Sequence, residues 1–166
     1  MRPTAEKDSP SGSRQLIRTD EKEIKMIPYK HVVQYYETDK MGITHHSNYI
    51  RWMEEARVDF LEQIGWSYKK MEAEGMFSAV TSIDCKYKAS TTFADEILIR
   101  IAVCELRGAV LKLGYVMTDS DGKTVFEGHS EHCFLNQNNR LVRLKKQYPA
   151  FCELMESLAE QQASDR

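Results

Sequence analysis

The segment NYIRWMEEARVDFLEQIG, residues 48–65, has the period of an amphipathic α-helix. Its apolar residues recur mostly three or four positions apart, so they form one stripe along such a helix. Ser47 suits the N-cap position, and Gly65 suits the C-terminal stop. A helix with a single apolar stripe must bury it against another layer, which the rest of the chain has to provide. The stripe consists of Tyr49, Trp52, Met53, Ala56, Phe60 and Ile64.

The segments around this helix predict that layer as an antiparallel β-sheet. Residues 29–38 are rich in β-branched and aromatic residues and predict a strand before the helix. Strand-like stretches follow the helix, and Asp121-Gly122 predicts a hairpin turn between two of them. The predicted strands after the helix are 76–89, 95–108, 109–119, 123–136 and a short one at 141–144, and the other predicted helices are 67–75 and 147–162.

This order of elements predicts an α+β fold in which an antiparallel sheet of about five strands wraps around one long central helix. The chain has 166 residues, of which 42% are hydrophobic, and this suits a single domain, which we place at 27–162. Residues 1–26 are polar with mixed charge and predict a mobile tail.

The charge and the hydropathy pattern argue against several kinds of partner. A formal net charge of −2 gives no general attraction to nucleic acid. No apolar run approaches the roughly 20 residues that a membrane-spanning helix needs. The first residues also lack the apolar stretch of a secretory signal. We therefore expect a cytoplasmic protein with no nucleic-acid partner and no membrane span.

The loop ETDKMGITHHSNY, residues 37–49, gathers chemically active side chains directly before the long helix. It contains a carboxylate at Asp39, a glycine at Gly42 and an imidazole at His46. A base or nucleophile beside the free N–H groups of a helix start is the arrangement that acyl transfer needs. Taken alone, Asp39 can also be a turn cap, and His46 can be a surface or capping residue.

Neither the histidines nor the cysteines predict a metal site. His45 and His46 are adjacent and lack the i, i+4 spacing of a helical zinc pair. The cysteines form no CxxC pair, and their spacing matches no zinc-ligand pattern, so they predict structural thiols. We expect no metal and no cofactor. The four cysteines are Cys85, Cys104, Cys133 and Cys152.

The pattern D-x-x-G-x-x-x-H-x-x-Y, formed by Asp39, Gly42, His46 and Tyr49, resembles the loop of the hotdog-fold 4-hydroxybenzoyl-CoA thioesterase family. The likeness is greatest to its small bacterial acyl-CoA thioesterases of the Tol-Pal-associated type. It extends over roughly residues 28–150 and includes the stretch IDCKYKASTTFADEILI, residues 83–99. The resemblance implies the hotdog fold and hydrolysis of an acyl-CoA thioester.

The same resemblance implies roles for individual residues. Asp39 matches the family's catalytic carboxylate, as a general base or as a nucleophile, and His46 matches its motif histidine. Tyr35 matches a tyrosine that lines the site in some members. Gly42 provides the tight turn of the loop and is assigned, with two neighbours, to substrate binding. These neighbours are Met41, which is placed to narrow the acyl pocket, and Tyr49, which also lies on the apolar stripe and can be a core residue.

The family works as homodimers or homotetramers with the site at a subunit interface, so the resemblance implies such an assembly here. An exposed sheet edge predicts the same, because open edges pair with other strands. Two other functions fit the sequence. One is a hotdog dehydratase or isomerase acting on an acyl-thioester, and the other is an acyl-thioester binding protein without catalysis.

Overall fold

The computed structural model describes residues 24–164. Most of the predicted tail, residues 1–23, lies outside the described residues. Ile24 and Met26 pack against the hydrophobic core, so the folded part extends slightly before the predicted boundary at residue 27. The last helix likewise runs to Ser164, past the predicted end at residue 162.

Five antiparallel strands form one sheet, in the order β1-β3-β4-β5-β2. The predicted hairpin at Asp121-Gly122 is present, because Gly122 N–H donates to the Asp119 carbonyl at 3.0 Å and Gly122 has a φ of +80°. Irregular pairing interrupts β2 after Val80 and β3 after Val103. The strands are β1 (Tyr29–Val32), β2 (Phe77–Tyr87), β3 (Glu96–Arg107), β4 (Val110–Thr118) and β5 (Thr124–Leu135).

The long helix α1 (Ser47–Gln63) packs its apolar stripe against one face of this sheet. Trp52 and Met53 on the helix are fully buried, as are Leu113 and Met117 on β4. Burial of each such side chain contributes about 1.5–3 kcal/mol, which makes the stripe the main source of stability at this contact. The predicted α+β architecture of a five-stranded sheet around one long helix is confirmed.

The first strand is shorter than predicted. It ends at Val32, and residues Tyr35–Glu37 form a single turn of 3₁₀ helix instead of continuing the strand. The cause is local, because the Glu37 carboxylate accepts the N–H of Gln34 at 2.7 Å and bends the chain back on itself. The propensity of residues 33–38 for strand is thus overridden by one side-chain bond.

The prediction of a strand at 141–144 is wrong. Leu141 forms only an isolated bridge with Leu135, and Val142 N–H donates to the Phe134 carbonyl at 2.9 Å. The chain then turns into helix, since the side chain of Gln147 accepts the N–H of Arg143 at 3.0 Å. The shorter helices are α2 (Tyr68–Ala73), α3 (Leu144–Gln147) and α4 (Pro149–Ser164).

Helix α4 lies against the part of β3 that β1 leaves unpaired. β1 pairs with β3 only as far as Ile99, so the rest of that edge needs other partners. The side chain of Gln162 on α4 accepts the N–H of Val103 at 2.7 Å. The helix therefore covers this side of the sheet, and β2 is the long edge strand on the other side.

Within residues 24–164, no helix is both long enough and apolar enough to cross a membrane.

Candidate active site

The loop between the 3₁₀ turn and α1 is held by its own backbone around Asp39. The N–H of Asp39 donates to the Ile43 carbonyl, and the N–H of Gly42 donates to the Asp39 carbonyl, both at 2.9 Å. Gly42 has a φ of +76°, a conformation that glycine adopts without strain. The carboxylate oxygen Oδ1 of Asp39 accepts the N–H of Met41 at 2.8 Å. This bond fixes one oxygen, and within the described chain the other, Oδ2, has no hydrogen-bond partner.

A second set of bonds ties the loop to the segment that follows β2. Thr44 N–H donates to the Thr91 carbonyl at 2.8 Å, and Thr92 Oγ1 donates to the Gly42 carbonyl at 2.7 Å. Inside, the hydroxyls of Thr44 and Thr91 lie 2.6 Å apart, and the Tyr49 hydroxyl reaches the same Thr91 oxygen at 2.9 Å. These residues are 42 to 47 positions apart in sequence, so tertiary structure sets the loop's position.

Asp39 and His46 both line one open cleft of about 330 Å³. Four of the six residues assigned to the site from sequence therefore meet at this cleft. The first turn of α1 borders the same cleft, since its N-cap residue His46 and its residue Tyr49 both line it. The lining residues are Asp39, Met41, Ile43, Thr44, His46, Tyr49, Tyr87, Lys88, Ala89 and Ser90.

The inner wall of the cleft is aromatic. The ring of Tyr49 stacks on Phe126 with centroids 5.4 Å apart, and Tyr87 meets both rings edge-on. Tyr87 also donates its hydroxyl hydrogen to the His46 carbonyl at 3.1 Å and so holds the helix start. Tyr49 is only 3% exposed, which places it both in the core and in the cleft wall.

The N-cap of helix α1 is one residue before the predicted one. Ser47 is the first helical residue, and His46 occupies the N-cap position without a side-chain capping bond. The Ser47 hydroxyl instead pairs with His45 Nδ1 at 2.9 Å. The imidazole of His46 is therefore not used as a cap, and it stays exposed at the cleft beside the ring of His45, with centroids 4.2 Å apart.

Tyr35 and Met41 are both largely exposed to solvent. Tyr35 lies on the 3₁₀ turn, is 77% exposed and touches Phe93 edge-on, and it does not line the cleft of its own chain. Met41 is 75% exposed and lies at the cleft rim. Gly42 shapes the loop from behind without lining the cleft.

A buried carboxylate that the sequence did not indicate lies at the first residue of the loop. Glu37 is 4% exposed, and its oxygens accept hydrogen bonds from Trp52 Nε1 at 2.8 Å and from Gln34 N–H at 2.7 Å. His31 Nε2 lies 2.9 Å from the same carboxylate. Burial alone would raise the pKa of Glu37, but the hydrogen bonds from Gln34, His31 and Trp52 outweigh it and lower the pKa below its usual value.

Tyr87, Lys88, Ala89 and Ser90 were also missed as cleft residues. They lie at the end of β2, 41 or more positions from His46, and only the likeness of the stretch at 83–99 to the family singled out this segment. Among the described residues, no group of three His, Cys, Asp or Glu side chains is arranged to hold a metal ion.

Comparison with known proteins places this fold and loop in context. A profile of the family described as the thioesterase-like superfamily matches residues 33–162. A provisionally named esterase of Aquifex aeolicus (strain VF5) is 34% identical over 119 residues, which cover 72% of this chain and 91% of that one. YneP of Bacillus subtilis (strain 168), provisionally named an acyl-CoA thioesterase, is 29% identical over 118 residues, covering 70% and 86%. The structure of a DHNA-CoA thioesterase from Staphylococcus aureus superposes with a TM-score of 0.78 and 26% identity, covering 84% of this chain and 94% of that one.

Proposed function

The chain belongs to the thioesterase-like superfamily, and we propose that it hydrolyses the thioester bond of an acyl-coenzyme A with Asp39 as its catalytic carboxylate. The observation that carries the proposal is the meeting of Asp39 and His46 at one cleft beside the start of α1. The protein is a thioester hydrolase in the hotdog superfamily, as its relatives' names indicate.

The reaction needs an attacking group and a site for the oxyanion. Asp39 Oδ2 either activates a water or attacks the carbonyl carbon itself, in which case water cleaves the resulting anhydride. The positive end of the α1 dipole then stabilises the negative oxygen. The C–S bond breaks, coenzyme A leaves as thiolate and takes up a proton, and the acid is released. His46 hydrogen-bonds the thioester carbonyl or orients Asp39.

The remaining assigned residues have supporting parts in this proposal. Tyr49 forms the wall against which the acyl group lies, and Met41 at the rim restricts the length or width of that group. Gly42 gives the loop its turn. Because Tyr35 is exposed away from its own cleft, its proposed contact with substrate is to the site of a neighbouring subunit.

We propose that this neighbour joins along β2, as a homodimer or as part of a homotetramer. β2 is an 11-residue edge strand whose Val80, Ile83 and Tyr87 are 36–48% exposed. A long, partly apolar edge of this kind pairs readily with a second copy. Tyr87 also lines the cleft, so such pairing would bring the second chain next to the site. Light scattering that finds a monomer would contradict this assembly. The cytoplasmic location stays a prediction.

The test is release of free thiol from a panel of acyl-CoAs by the wild type and by Asp39→Asn. We expect the variant to lose about 10²–10⁴ in kcat, because the carboxylate takes part in the chemical step. Asp119→Asn is a matched control, because Asp119 Oδ1 also accepts the N–H two residues on, at 3.1 Å, in the turn between β4 and β5, and it does not line the cleft. If Asp39 were only a turn cap, the two variants would behave alike. A wild type without thiol release, or a fully active Asp39→Asn, would contradict the proposal.

A further inference from the structure

We propose that Glu37 is a positioning residue for the loop carrying Asp39 and His46: its buried carboxylate anchors the residue to the core, and its backbone carbonyl holds the far end of the loop. The inference rests on the proposed function of that loop. Glu37 lies two positions before Asp39 and contacts no lining residue of the cleft through its carboxylate, so it acts through the loop and not on the substrate.

The carboxylate of Glu37 is fixed to the rigid part of the molecule. Oε1 accepts the indole N–H of Trp52, a residue of α1 with no exposed surface. Oε2 faces His31 on β1, whose ring stacks on Trp52 with centroids 4.5 Å apart. The same Oε2 accepts the N–H of Gln34 and closes the 3₁₀ turn. One side chain thus joins the first strand, the turn and the long helix.

The backbone of Glu37 is fixed to the far end of the loop. Its carbonyl accepts the N–H of His45 at 2.8 Å and the side-chain amide of Asn48 at 2.8 Å. His45 directly precedes His46, and Asn48 is in the first turn of α1. The residues that enter and leave the loop are therefore held at a single point, and the seven residues between Glu37 and His45 close as a ring.

A buried charge in this position is costly and calls for an explanation. Removing a carboxylate from water costs several kcal/mol unless donors replace the water. Here Gln34, His31 and Trp52 supply three donors to the carboxylate. An apolar residue could fill the same space without any donor, but it could not form directed bonds to the strand, the turn and the helix at once. Because a displacement of about 1 Å at a catalytic group can cost about 100-fold in rate, such a fixed point bears directly on Asp39 and His46.

The kinetic test compares Glu37→Gln with Glu55→Gln, measured well below the melting temperature of each. Glu55 is a matched control, since its carboxylate lies 3.2 Å from the other nitrogen of the same His31 but touches no loop atom. We expect Glu37→Gln to lower kcat about 10- to 100-fold, with KM changed less than about threefold. Glu55→Gln should keep kcat within about twofold. A loss of stability alone would leave kcat per folded molecule unchanged, and that result would overturn the inference.

Hydrogen exchange tests the same point without relying on activity. In Glu37→Gln, the amides of residues 38–46 should exchange at least about tenfold faster than in the wild type and in Glu55→Gln. Asn48→Ala removes the bond from the helix side and should act in the same direction, so the inference stays testable if Glu37→Gln does not fold. Unchanged exchange in the folded variants would overturn it. Intact activity in Asp39→Asn would instead contradict the proposed function, while the exchange result would still decide whether Glu37 holds the loop.

Discussion

Gly42 and Gly122 have nearly the same backbone conformation, with φ values of +76° and +80°. At both positions a Cβ atom would meet no other atom within 4 Å. A substitution there therefore changes the backbone energy and little else. The two glycines differ in place, since Gly42 turns the loop that carries Asp39 and Gly122 turns the hairpin between β4 and β5, which does not line the cleft.

Replacing either glycine by alanine should cost a similar free energy of unfolding, about 1–2 kcal/mol, because each forces a side chain into the left-handed region. Only Gly42→Ala should also lower kcat, by about tenfold or more, since the loop relaxes around the strained residue. Chemical denaturation and thioester hydrolysis, run on both variants, check this. Equal activity in the two variants would show that the turn at Gly42 does not position Asp39.

At the scale of single residues, sequence alone predicted the part of the candidate site that is continuous in the chain. Asp39, Gly42 and His46 lie within eight consecutive residues, so their spacing is visible as a motif. Tyr87 and Thr91 reach the site only through folding, and no local pattern marks them. Glu37 was invisible for another reason, because a charged residue in a polar stretch gives no sign that it will be buried.

At the scale of elements, the hydroxyl of Thr91 is the link between the loop, α1 and the segment after β2. It lies within hydrogen-bond distance of both Thr44 and Tyr49, and all three residues are at most 5% exposed. A buried hydroxyl without a partner costs about 1–3 kcal/mol. The three groups therefore depend on one another.

Thr91→Val should destabilise the fold by about 1–3 kcal/mol, because it leaves the buried hydroxyls of Thr44 and Tyr49 without their shared partner. Tyr49→Phe should cost less, about 0.5–1.5 kcal/mol, because Thr91 keeps its bond to Thr44. The free energy of unfolding lost in the double variant should be smaller than the sum of the two single losses by about 1 kcal/mol, since the first change already breaks the shared bond. Urea unfolding at one fixed protein concentration measures the cycle. Free energies that add within about 0.3 kcal/mol would mean that the contact between Tyr49 and Thr91 is not a coupling.

The long elements were predictable, and so was the short helix α2, which lies at Tyr68–Ala73 within the predicted 67–75. The other short elements were not. Helix α1 and strands β2 to β5 have periodic patterns over nine or more residues, which a single side-chain bond does not alter. The predicted strands at 29–38 and 141–144 failed where one side chain, Glu37 or Gln147, accepted a backbone N–H and turned the chain. Such a bond depends on the geometry of the folded chain, which secondary-structure propensities do not describe.

At the scale of the whole molecule, His132 is a buried group that makes stability depend on pH. It lies on β5, is 1% exposed, and its Nε2 is 2.6 Å from the Ser130 hydroxyl. Burial, with a smaller contribution from the charge of Arg57, lowers the pKa of His132 from 6.5 to about 4. Arg57 itself is buried, with its Nε donating to the Tyr68 hydroxyl at 2.9 Å.

The folded protein should lose stability as the pH falls from about 6.5 to about 4, because His132 binds its proton in the unfolded chain first. Above that window both states carry the neutral ring and the effect is absent. The full loss is on the order of 3 kcal/mol. His132→Gln should remove this contribution and flatten the profile, as measured by denaturation at a series of pH values. Identical slopes in variant and wild type would assign the acid sensitivity to other groups.

Helix α4 covers part of the β3 edge, and this affects how further copies of the chain can add to the sheet. A sheet with two open borders can add copies of itself on both sides and extend into a fibre. Here one border consists of a four-residue strand and a stretch next to a helix, so the 11-residue β2 is the border that offers a further chain the longer pairing. When two such chains meet through β2, each is left with only its short border, and further extension is disfavoured.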